Sequence, residues 1–114
     1  MKSLTFFKQL ADETRLKMLM LICLEGELCV CELTWSLALS QPKISRHLAQ
    51  LKAEGVLSDR REGKWVYYSI KENLDTEFKK MLVLTCQKES IFLDELLNKL
   101  NQMGERPTRQ SQCC

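Results

Sequence analysis

The chain has 114 residues, enough for one domain with a modest core. Its 17 basic and 15 acidic residues leave a net charge of +2, too small to mark the whole chain as acidic or basic. The opening MKSLTFFKQL is too briefly apolar for a signal peptide, and LKMLMLICL (16–24) is too short to span a bilayer. The reading is therefore of a cytoplasmic protein with no membrane partner, whose six cysteines are core residues, ligands or redox thiols rather than a disulfide framework.

Residues 3–10 read as a short helix with Leu4, Phe7 and Leu10 toward one side. Asp12 is a good N-cap for a second helix, with Leu16, Leu19, Met20 and Cys23 at helical spacing and Gly26 as its stop. A third helix is expected from about Val30 to Leu37. In ALSQPKISRHLAQLKAEG, Ser40 caps a fourth helix, Pro42 sits in its first turn and Gly55 closes it. Ile44, Leu48 and Leu51 form its buried stripe, which leaves Pro42, Ser45, Arg46 and Ala49 on the opposite, small and polar face.

Two helices joined by about three residues, the second with an exposed polar start, make the helix-turn-helix pattern. VLSDRREGKWVYYSI then reads as a hairpin of roughly 56–61 and 64–70, split at Glu62-Gly63, with Arg60, Arg61 and Lys64 crowding its tip. A basic hairpin after a helix-turn-helix is a wing that can meet phosphate. Residues 41–71 carry seven bases against three acids, so the rest of the chain is net −2. That asymmetry is the footprint expected of a nucleic-acid surface.

A single last helix is expected from Asn73 or Leu74 to about Asn101, too long to bury its stripe on a small core, so a partner subunit is expected to cover it. GERPTRQSQCC has no periodicity and reads as a mobile tail. The expected organisation is a DNA-binding and dimerisation domain over 1–101 and a Cys-terminated tail over 102–114. The fold class is mainly α with a β-hairpin wing, a dimeric winged helix-turn-helix.

From about residue 5 to 72, through ADETR, ELCVCEL, SQPKISRHL and GKWVYYSI, the chain resembles the ArsR family, the arsenical-resistance operon repressors among the winged-helix metal-sensing regulators. The resemblance implies a homodimer that binds double-stranded operator DNA and leaves it when an effector ion, trivalent arsenic or antimony, binds. It places Gln41, Lys43, Ser45 and Arg46 on the recognition helix, with His47 at the edge of that face, and Arg60, Arg61 and Lys64 on the wing. It makes Cys29 and Cys31 the first two thiolates of an arsenic site. The best-known version of that motif reads ELCVCDLC; here its third cysteine is replaced by Thr34. A third thiolate would come from Cys113 or Cys114 of either subunit, from a small thiol in solution, or from nowhere.

Thiolates select soft ions. Residues i and i+2 of a regular helix point apart, so one small ion bridges Cys29 and Cys31 only where the backbone is, or becomes, non-helical. Ion binding is expected to distort this helix start and shift helix 41–53. Cys23 and Cys86 read as core, and Trp65, Tyr67 and Tyr68 as wing and core packing. Alternatives are a repressor that answers to thiol oxidation or to another soft metal, and, from a different class, a small thiol oxidoreductase built on Cys-Val-Cys. No nucleophile–base set, paired carboxylates or phosphate-binding loop is present, so neither catalysis nor a catalytic cofactor is expected.

Overall fold

The computed structural model describes residues 1–105. Its organising element is α2 (Glu13–Glu25), begun where the Asp12 carboxylate accepts the Arg15 backbone N–H at 2.9 Å. Arg15 then turns back on α1 (Lys2–Leu10), its guanidinium donating to the carbonyls of Gln9 (3.0 Å) and Lys8 (3.1 Å). The ADETR segment is thus a double cap, closing one helix and opening the next. Met18 to Ile22 are all buried, so α2 is enclosed on nearly every side rather than along one stripe. Gly26 ends it at φ 88°, a conformation costly for a residue with a Cβ.

Next comes a strand that periodicity did not reveal, β1 (Glu27–Cys29), followed directly by α3 (Val30–Leu37). α4 (Gln41–Ala53) has the expected bounds: the Ser40 hydroxyl accepts from the Lys43 N–H, and Ile44, Leu48 and Leu51 are fully buried. β2 (Leu57–Glu62) and β3 (Trp65–Ile70) form the wing. Its turn lies one residue later than expected, at Gly63-Lys64, with Gly63 at φ 61°. The sheet has three antiparallel strands in the order β1-β3-β2.

The last helical segment is broken. α5 (Thr76–Lys88) and α6 (Ser90–Asn101) meet at Glu89, which leaves helical geometry at φ −99°, ψ 24°. The bend lets two apolar faces reach one core: Phe78, Leu82 and Cys86 from α5, and Leu93, Leu96 and Leu100 from α6, are all buried within a single chain. The stripe expected to need a partner subunit is therefore covered internally. α6 also packs on α3, where the Trp35 indole N–H donates to the Lys99 carbonyl at 2.8 Å.

α1 also departs from expectation. Phe6 and Gln9 face inward, with Phe6 stacked on Phe78 at 4.2 Å between ring centroids. Leu4 and Phe7 face out. Helical spacing fits both faces of α1, and tertiary packing selects one, with Phe6 on Phe78 of α5 and Gln9 bonded to Gln50 of α4. Met103, assigned to the tail by sequence, is buried in the core; residues 106–114, with Cys113 and Cys114, lie outside the described residues. No described helix is long and apolar enough to cross a membrane.

Candidate DNA-reading surface and thiol centre

α4 exposes Gln41 and Arg46 to solvent and Lys43 and Ser45 partly, with Gln41 donating to the Ser45 hydroxyl at 3.4 Å. The exposed start of this helix is small and polar, as its sequence implies. His47 is not at its edge. It is only 8% exposed and is turned toward Asp12 and Arg15 at the start of α2. Burial pushes its pKa down and favours the neutral ring, while the nearby Asp12 carboxylate acts in the opposite direction. His47 is corrected from a groove residue to a packing residue: at 100° per residue it falls between the two faces, and it is buried near Asp12 and Arg15.

The wing carries Arg60, Arg61 and Lys64, all exposed. Arg60 is ion-paired to Glu27 and Glu62, and Lys52 to Asp59 at 3.0 Å. Among the described residues Lys43, Arg46, Arg61 and Lys64 are in no ion pair. These four make up most of the basic surplus of the 41–71 segment. They stand on the two elements that a winged reader presents to DNA, the recognition helix and the hairpin.

The thiol centre lies where β1 passes into α3. Cys29 is the last residue of β1 and the N-cap of α3, with extended backbone (φ −92°, ψ 170°), while Cys31 is already inside the helix. Because Cys29 is not helical, the two side chains converge instead of diverging: the Sγ atoms are 3.3 Å apart. Both are buried, in a small cluster with Tyr67 and Trp65 that is separate from the main core. The fully buried Glu32 carboxylate accepts the Cys29 N–H at 2.9 Å and fixes the start of α3. Burial, with the Glu32 charge adding to it, pushes the Cys29 thiol up to about 11, so the free protein holds it protonated.

At Thr34, where the familiar motif has its third cysteine, the hydroxyl donates to the Cys31 carbonyl at 2.9 Å. Among the described residues no three His, Cys, Asp or Glu side chains come together as a metal site. Cys86 is buried, its Sγ 3.7 Å from the Met20 carbonyl, and burial, with Cys23 nearby, pushes its thiol up to about 11, as suits a core residue. Sequence reasoning shows Glu27 and Glu32 only as acids beside the cysteines; it missed their bonding roles and β1 itself. The signal was present in Glu32, three residues beyond the N-cap Cys29.

The model of the bacterial regulatory protein arsR family matches residues 12–59. The arsenic resistance transcriptional regulator ArsR2 of Pseudomonas putida is 51% identical over 108 residues, covering 95% of this chain and 94% of that protein. The chain belongs to the arsR family. Among solved structures, HlyU of Vibrio cholerae N16961 superposes with a TM-score of 0.70 at 36% identity, over 78% of this chain and 92% of its own. The antimony-specific transcriptional repressor AntR superposes with a TM-score of 0.65 at 29% identity, over 80% of each chain. This arsR-family chain is a winged helix-turn-helix DNA-binding transcription regulator and not an enzyme.

Proposed function

We propose that the chain is a homodimeric repressor that releases operator DNA when trivalent arsenic or antimony binds Cys29 and Cys31. The observation that carries this reading is the pair of buried cysteine sulfurs 3.3 Å apart at the junction of β1 and α3. The junction leads directly into the helix that precedes the recognition helix. Names of the relatives support a metalloid: one regulates arsenic resistance and one is specific for antimony. The DNA contacts are Gln41, Lys43, Ser45 and Arg46 in the groove, with Arg61 and Lys64 on phosphate. Leu4, Phe7, Leu84 and Ile91, apolar and exposed on α1, α5 and α6, support a dimer.

An ion entering this centre meets protein packed around Cys29 and Cys31, which are 2% and 8% exposed. Accommodating the ion and a third ligand requires Tyr67, Trp65 or the start of α3 to yield. Cys113 or Cys114 supplies that third thiolate, or a small thiol takes its place. A differential affinity of ~3–5 kcal/mol between the two arrangements lowers operator affinity by about 10²–10³-fold or more.

The test is fluorescence anisotropy of the reduced protein on DNA from upstream of its own gene, titrated with arsenite. Cys29→Ser, Cys31→Ser and a chain ending before Cys113 run beside the wild type. Arsenite should release the wild type and neither serine variant; the shortened chain reports on the tail. Tight DNA binding that arsenite leaves unchanged would remove the effector from this reading and turn attention to cadmium, lead and oxidants.

A further inference from the structure

Arg60 reads from sequence as a phosphate contact at the wing tip, and its surroundings argue otherwise. Tyr67 on β3 is paired with Cys29 of β1 on one side and with Arg60 of β2 on the other. Residues directly opposed in antiparallel strands project from the same face, so Cys29, Tyr67 and Arg60 form one row across the sheet. The Arg60 guanidinium lies over the Tyr67 ring, 4.6 Å from its centroid.

From there Arg60 reaches past β3 to β1. Its Nε and Nη2 donate to the two carboxylate oxygens of Glu27, the first at 2.9 Å, and Nη1 donates to Glu62 at 2.9 Å. All three guanidinium nitrogens are engaged by carboxylates, so a phosphate would have to displace one of them. The two-point hold on Glu27 fixes orientation as well as distance, which a lysine cannot do.

β1 is only three residues long, and Cys29 is its last. The Glu27–Arg60 pair is its side-chain tie to the outer strand of the hairpin. We infer that Arg60 is a positioning residue that fastens the thiol-bearing strand to the wing, so that displacement of Cys29 moves the hairpin. The phosphate contacts of the wing then fall to Arg61 and Lys64, which are in no ion pair among the described residues. The arsenite arm of the test rests on the effector reading above; the salt arm does not.

The experiment uses the full, reduced chain and double-stranded DNA from upstream of its own gene, with affinity measured across a salt series. Each lost phosphate contact flattens log K against log[salt] by about 0.9, or roughly 1.8 for a dimer. Arg61→Ala should show that loss. Arg60→Ala and Arg60→Lys should keep the wild-type slope, and Glu27→Gln should not steepen it. Saturating arsenite should release Arg60→Ala, Arg60→Lys and Glu27→Gln at least roughly tenfold less than wild type, with arsenite still bound, as read by tryptophan fluorescence. Circular dichroism checks that each variant is folded.

The proposal is overturned if Arg60→Ala flattens the slope as Arg61→Ala does while Arg60→Lys behaves as wild type. It is equally overturned if all three variants release DNA as fully as wild type. Should wild type ignore arsenite, the effector reading alone fails, and the salt slopes still decide the role of Arg60.

Discussion

The protonated state of Cys29 gives a prediction that separates a metalloid from a metal cation. Its thiol is pushed up to about 11, mainly by burial, so at pH 7 only about one molecule in 10⁴ carries the thiolate. Arsenous acid is uncharged at neutral pH and carries three As–OH groups. Each S–H that reacts forms one As–S bond and releases one water, with no net proton. A divalent cation such as cadmium must displace the proton, which opposes binding by about 5 kcal/mol at pH 7 relative to a pre-formed thiolate.

Arsenite affinity should therefore be flat from pH 6 to 8, while cadmium affinity should rise roughly tenfold per pH unit from Cys29 alone. Titration calorimetry in two buffers of different ionisation heat counts the protons directly. The expected count is none per arsenic and at least one per cadmium. The reasoning is refuted if arsenite affinity falls tenfold per pH unit, or if cadmium binding releases no proton. Either result means that Cys29 is already a thiolate in the free protein.

Three further outcomes follow from the same geometry. Asp12→Ala removes the acceptor for the Arg15 N–H and should lower unfolding free energy by about 1 kcal/mol, read as a shift in the urea midpoint with unchanged slope. Arg46→Ala should weaken DNA binding without moving the thermal midpoint, whereas His47→Ala should destabilise by roughly 1–2 kcal/mol and leave the DNA affinity of the folded protein unchanged. The pair Leu84→Glu and Ile91→Glu changes side chains that are 63% and 84% exposed in one chain. Sedimentation should find wild type as a dimer and the variant as a folded monomer; a dimer in both would place the interface elsewhere.

What the sequence determined is what local chemistry encodes. Asp12, Gly26, Ser40 and Gly55 act on backbone groups within a few residues, so the bounds of α2, α3 and α4 were legible. The apolar stripe of α4 and the alternation of the wing report burial along one element, and the face of Gln41, Ser45 and Arg46 followed from angle alone. The two cysteines were legible as a pair, together with the requirement that one of them be non-helical.

What the tertiary structure decided is everything set by partners distant in the chain. A three-residue strand has no periodicity to read, and β1 exists because Tyr67 to Ser69, some forty residues later, offer it an edge. The break at Glu89 follows from two faces competing for one core around α2, and it removes the argument for a dimer based on an unburied stripe. His47 turns inward, near the charges of Asp12 and Arg15. Arg60 looked like any wing arginine until the fold brought Glu27 to it across 33 residues. Charge and helical angle are properties of one segment, but the pairing of a charge depends on which segments the packing of the core brings together.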